Sequence, residues 1–168
     1  GRSEEAVASC RKAIQFKPSY AEAHFNLGNA LNALSLQEEA IASYTKAIQL
    51  KPDYAEAHSN LGTVLNELGR VEEAIASATK VLQYKPDFTE GYSNLGTFFA
   101  SLERNDEAIS SYSKAIRLKP DYAAVHNKLG VTFNVLGRYE EAVASCNRAI
   151  QYKPDFAEAY SNLGEILR

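Results

Sequence analysis

The chain has 168 residues, of which 45% are hydrophobic, and 18 basic against 21 acidic residues give a net charge of −3. This apolar content can form a substantial core, and the slight acidity gives no general attraction to nucleic acid or to an anionic membrane. No apolar stretch approaches the roughly 20 residues of a membrane span, and the amino terminus lacks a signal pattern. We therefore expect a cytoplasmic protein without nucleic-acid or membrane partners.

A period of 34 residues runs through the chain without an insertion or a deletion. It is marked by Pro18, Pro52, Pro86, Pro120 and Pro154, and by Gly28, Gly62, Gly96, Gly130 and Gly164. Such a period indicates repeats that each pack on the next. In chain order we predict a half repeat at 1–20, full repeats at 21–54, 55–88, 89–122 and 123–156, and a half repeat at 157–168. Because the chain opens inside its own repeat, we expect a fragment of a longer array.

Each full repeat carries two helical patterns, shown here by 55–88. The first pattern, helix A, has its buried stripe at Ala57, His58, Leu61, Gly62, Leu65 and Leu68. The second, helix B, follows a turn at Gly69 and has its stripe at Ala74, Ile75, Ala78 and Leu82. Steps of three and four residues are typical of amphipathic helices. The half repeat at 1–20 then supplies a helix B, and the one at 157–168 supplies a helix A.

Helix A also carries a predicted start signal and a predicted contact site. Asp53 followed by Glu56 matches a capping box, as do Ser19 with Glu22, Asp87 with Glu90 and Asp155 with Glu158, whereas Asp121 lacks an acidic partner. A glycine within a helix costs about 1 kcal/mol relative to alanine, so its return in each helix A indicates close packing between helices.

These features together resemble the tetratricopeptide repeat family over the whole chain. The family's pattern falls on Tyr92, Leu95, Gly96, Phe99, Ala108, Tyr112, Ala115 and Pro120 in one repeat. The resemblance implies an all-α fold, a right-handed α-solenoid or superhelix of antiparallel helix pairs. It also implies a scaffold for protein–protein interaction.

The sequence shows no pattern that predicts catalysis, a metal site or a cofactor. His24, His58 and His126 occupy the helix A position held elsewhere by Tyr92 and Tyr160, which favours packed rings over metal ligands. Cys10 and Cys146 are interpreted as buried hydrophobic residues. No phosphate loop, catalytic carboxylate pair or nucleophile motif is present. Two basic series lie on helix B and at its end, where cations suit the helix dipole: Lys46, Lys80, Lys114 and Arg148, and Lys17, Lys51, Lys85, Lys119 and Lys153.

Polar residues recur on the face of helix A opposite the predicted core. In this family that face lines the concave groove, so the resemblance implies a ladder of Asn26, Asn60, Asn94 and Asn162. The ladder breaks at Lys128, and Asn127 stands one residue earlier. An amide side chain can bond both the C=O and the N–H of an extended peptide. The predicted groove residues are Asn26, Asn29, Asn60, Thr63, Asn94, Thr97, Asn127, Lys128 and Asn162.

The ladder and the phrase "KPDFAEAYSNLG" are similar to the repeats of O-linked N-acetylglucosamine transferase, a comparison that implies recognition of protein chains. Asparagine is also common at this position across the family, and ancestry or solvation is the alternative explanation for it. The alternative functions are therefore a structural spacer or a substrate-recruiting arm of a larger enzyme. The half repeats add a hypothesis of head-to-tail self-association, with Tyr160, Leu163 and Leu167 uncovered by a helix B.

Overall fold

The computed structural model describes residues 1–168 as ten α-helices without a β-strand. The helices are α1 (Arg2–Phe16), α2 (Ala21–Ala33), α3 (Gln37–Leu50), α4 (Ala55–Glu67), α5 (Val71–Tyr84), α6 (Thr89–Ser101), α7 (Asn105–Leu118), α8 (Ala123–Val135), α9 (Tyr139–Tyr152) and α10 (Ala157–Ile166). The even-numbered helices are the predicted helices A and the odd-numbered ones the helices B. The all-α class is confirmed. None of the ten is long and apolar enough to pass through a membrane.

The chain divides into two compact units, Gly1–Pro86 and Asp87–Arg168. In unit 1, helices α1 to α5 pack in chain order, and α2 also contacts α4. In unit 2, helices α6 to α10 pack in the same way, and α8 contacts both α6 and α10. Because the connecting segments are only three or four residues long, packed neighbours run antiparallel. Each unit thus has the arrangement of a solenoid of helix pairs.

The core follows most of the predicted stripes, but Leu68 at the end of the helix A stripe is exposed, and Ile75 and Leu82 of the helix B stripe are half-buried. His58, Leu61 and Leu65 are buried in α4, and Ala74 and Ala78 are buried in α5. In unit 2 the central cluster includes Tyr112, Val125, Leu129 and Phe133.

Three of the glycines within the helices A mark close approaches, whereas at Gly164 of α10 nothing lies within 4 Å of an added Cβ. A Cβ added to Gly28 would lie 2.5 Å from the ring of Tyr44, and one added to Gly96 would lie 2.5 Å from Tyr112. At Gly130 it would lie 2.7 Å from Cys146 Sγ. The packing explanation for these residues is confirmed.

The capping-box prediction is wrong. The N-cap of α4 is Tyr54, without a side-chain cap hydrogen bond, and Asp53 lies one residue before it. Tyr20, Phe88, Tyr122 and Phe156 cap α2, α6, α8 and α10 in the same way. The reason is a tight turn that contains Pro52, in which Tyr54 N–H donates to Lys51 C=O at 3.1 Å. Asp53 lies within this turn, so α4 begins one residue later than the sequence pattern predicts.

Candidate functional site

The polar faces of α2 and α4 meet in unit 1. Asn60 Nδ2 donates to Asn29 Oδ1 at 2.8 Å, and the hydroxyl of Tyr44 donates to the same oxygen at 2.9 Å. The ladder residue Asn60 is therefore bonded to the groove residue Asn29 of the preceding helix A. Burial raises the pKa of Tyr44, which keeps its hydroxyl as a donor. Sequence reasoning missed Tyr44 because it lies on α3, a helix B.

A pocket of ≈ 180 Å³ opens beside this pair. Its wall consists of Asn29, Asn32, Tyr44, Asn60, Thr63 and Val64. Amides and hydroxyls line it without a charged side chain, so it suits an uncharged group that both donates and accepts hydrogen bonds. Of the other predicted residues in unit 1, Asn26 is exposed. Thr63 is also exposed, and its hydroxyl donates to the Ser59 carbonyl of its own helix at 3.0 Å.

The corresponding contact in unit 2 is made by a lysine. Lys128 Nζ donates to Thr97 Oγ1 at 3.0 Å, and the hydroxyl of Tyr112 donates to the same oxygen at 3.3 Å. Lys128 is the sixth residue of α8, as Asn60 is of α4, and Thr97 is the ninth of α6, as Asn29 is of α2. Burial lowers the pKa of Lys128, against the opposing effect of Glu158. We call the sixth residue of each helix A the ladder position; Asn94 and Asn162 hold it, half-buried, in α6 and α10.

Asn127 is not a displaced rung of the ladder. It is 1% exposed, and its Oδ1 accepts from Asn162 Nδ2 at 2.9 Å while its Nδ2 donates to Glu158 Oε1 at 3.0 Å. One residue along a helix turns a side chain by about 100°. That rotation directs Asn127 toward α10 instead of the open face, so its amide is used within the fold.

The histidines have structural partners. His58 Nδ1 lies 2.9 Å from Ser77 Oγ, and its Nε2 lies 3.1 Å from the carbonyl oxygen of Pro52. His24 and His126 make the corresponding contacts with the carbonyl oxygens of Pro18 and Pro120. Burial lowers the pKa of His58. These rings secure the turn that precedes helix A.

The cysteines are shielded by burial, and lysines at the ends of the helices B contact aromatic rings. Burial raises the pKa of the Cys10 and Cys146 thiols, which disfavours the reactive thiolate. Lys51 Nζ lies 4.7 Å from the ring centroid of Tyr54, a cation–π contact. The same contact joins Lys17 to Tyr20, Lys119 to Tyr122 and Lys153 to Phe156.

The residues predicted for self-association lie on α10. Tyr160 is 52% exposed and Leu167 is 68% exposed, whereas Leu163 is half-buried.

Comparison with known proteins connects this geometry to a family. The family described as TPR repeat matches residues 1–35, 36–69, 97–135 and 132–167, and the one described as Tetratricopeptide repeat matches residues 55–88. No curated protein sequence gives a significant match. No catalytic family is indicated, and nothing points to the repeats of O-linked N-acetylglucosamine transferase in particular.

Solved structures share the fold over nearly the whole chain. MamA is 24% identical with a TM-score of 0.82, covering 93% of this chain and 91% of its own. TTC0263, a thermophilic TPR protein in Thermus thermophilus, is 21% identical with a TM-score of 0.81, covering 99% and 91%. YrrB, described as a TPR protein with an unusual peptide-binding site, is 26% identical with a TM-score of 0.77, covering 95% and 82%.

Proposed function

Because the chain belongs to the tetratricopeptide repeat family, we propose that it is a protein-interaction scaffold that binds an extended protein segment on the open faces of its helices A. The observation that carries this proposal is the ≈ 180 Å³ pocket of unit 1, which three asparagines and a threonine line together with Tyr44 and Val64. Backbone C=O and N–H groups alternate along an extended chain, and an amide side chain can bond either. The peptide-binding site for which YrrB is described adds support.

The linked amides favour such binding through preorganisation. Asn29 Oδ1 accepts from Asn60 and Tyr44, which fixes the orientation of all three side chains before a ligand arrives. Less conformational freedom is then lost on binding. The amide N–H donors of Asn29 and the amide oxygen of Asn60 are the groups that we assign to the peptide backbone.

A peptide array tests this function. Asn60→Ala should weaken binding of array-selected peptides by about tenfold or more, a loss of roughly 1.4 kcal/mol. Asn147→Ala, at an exposed position of α9, is the matched control and should bind as the wild type does. Circular dichroism checks that both variants are folded. Equal affinities for the wild type and Asn60→Ala would refute the amide site.

The second candidate is a structural spacer that self-associates through α10, and the exposure of Tyr160 and Leu167 favours it. A substrate-recruiting arm of a larger enzyme would use the same peptide-binding face. A cytoplasmic location stays part of the proposal.

A further inference from the structure

Lys128 gives the ladder of unit 2 a charge that the ladder of unit 1 lacks. Its ammonium makes the bond to the preceding helix A that an amide makes in unit 1, with a tyrosine hydroxyl on the same acceptor. The hydrogen bond between neighbouring helices A is therefore kept, whereas the chemical group on the open face changes. Asparagine presents a neutral donor and acceptor, and lysine presents a cation with three donors.

This cation forms no salt bridge within the chain. Lys128 is half-buried, Thr97 uses one of its three donors, and no carboxylate oxygen lies within 4.0 Å of Nζ. Glu158 influences the charge from further away, and its Oε1 accepts from Asn127. A partly desolvated charge is costly unless it is paired. The open face of α8 thus carries a positive charge that a carboxylate of a partner could pair with.

The residues that follow on the same face are apolar. Val131 is 40% exposed and Val135 is 68% exposed. They lie about one and two helical turns beyond Lys128, so the three side chains form one line along α8. Val131 also takes the place that Thr97 and Asn29 hold in earlier helices A. A cation beside exposed aliphatic groups suits a carboxylate on an aliphatic stem.

We propose that Lys128 binds the carboxylate of an Asp or Glu side chain in the partner segment, while Val131 and Val135 contact an apolar neighbour of that residue. This deepens the function proposed above and rests on it. It assigns to unit 2 a preference for an acidic residue next to an apolar one, whereas the pocket of unit 1 accepts uncharged groups. The preference for an acidic partner residue is then determined by the single ladder residue Lys128.

The experiment uses pools of acetylated, amidated nonapeptides with Glu, Gln or Lys fixed at the centre and random residues elsewhere. We expect the wild type to bind the Glu pool about tenfold more tightly than the Gln pool, and less so at high salt. Bound Glu peptides should be enriched in Leu, Ile, Val or Phe beside the fixed residue. A further Gln pool with a free carboxyl end separates a side-chain carboxylate from a chain end, and tight binding of that pool alone would overturn the assignment.

Lys128→Asn is the decisive variant, because asparagine already occupies this position in α4 and α10. It should remove the preference for Glu and retain binding of the Gln pool. Lys46→Asn, which removes the same charge from an exposed position of α3, should leave the preference unchanged. Glu and Gln pools that bind equally, with both lost in Asn60→Ala, would refute this inference alone. Absence of binding in every pool would refute the proposed function with it.

Discussion

One residue in each turn after helix A has a positive φ, which suits glycine better than other residues. Gly69 and Gly137 have φ of 76° and 70°, while Ser35 and Glu103 hold the corresponding positions with φ of 60° and 58°. A left-handed conformation strains a side chain with a Cβ, whereas glycine adopts it freely. Ser35 and Glu103 therefore have a strained backbone at a turn position where glycine would be unstrained.

Ser35→Gly and Glu103→Gly should each raise the free energy of unfolding. We expect a gain of about 0.5–1 kcal/mol, because the relief of strain exceeds the added entropy of the unfolded chain. Urea unfolding followed by circular dichroism measures it.

The reverse substitution is the control. Gly69→Ser should lower the free energy of unfolding by about 1 kcal/mol through backbone strain alone, since no atom lies within 4 Å of an added Cβ. A Gly69→Ser variant as stable as the wild type would contradict the explanation.

His58 should make stability depend on pH. It is 2% exposed, and burial holds its pKa below the ordinary value of about 6.5, with a further contribution from Lys80. As the pH falls, the unfolded chain therefore takes up the proton first. Stability should be complete above about pH 6.5 and decrease below it, which urea unfolding at about pH 8 and about pH 5.5 would reveal.

His58→Tyr tests this assignment, because Tyr92 occupies the same place in α6. A tyrosine does not titrate in this range, so the variant should lose less stability on acidification. The same loss in both proteins would assign the effect to other groups.

The packing of helix pairs determines where glycine is required. Gly28→Ala should lower the free energy of unfolding by about 1–3 kcal/mol, because the new Cβ would overlap the buried ring of Tyr44. Gly164→Ala, where nothing lies within 4 Å, should instead add up to about 1 kcal/mol through helix propensity. Thermal and urea unfolding of the two variants should therefore shift in opposite directions. A loss of stability in both would show that close approach to Tyr44 is not the cause.

The starts of the helices were harder to predict from sequence than their packed faces. Periodicity located the buried stripe of α4, since it depends only on the repeat of 3.6 residues per turn. The capping pattern at Asp53 failed because the turn from Lys51 to Tyr54 includes Asp53, and the helix begins only after Tyr54. Local motifs of this kind depend on the loop that enters the helix.

For the chain as a whole, the exposed part of α10 predicts self-association at high concentration. Sedimentation velocity should show the wild type in larger species as concentration rises, and Leu163→Glu with Leu167→Glu should remain monomeric, because charges on that surface would have to be desolvated. Lys80→Glu, at an exposed position of α5, is a control with the same change in net charge. Assembly that persists in the double variant would exclude α10 as the contact.

The sequence by itself determined the period, the alternation of helices A and B, the buried stripes and the need for glycine at Gly28 and Gly96. These features follow from spacing along one chain. Only the tertiary structure showed that Asn60 and Asn29 bond each other, that Asn127 faces α10, and that Lys128 bonds Thr97 without forming a salt bridge. Those contacts join residues about one repeat apart on neighbouring helices A, so their hydrogen bonds depend on distances and rotations that periodicity does not fix.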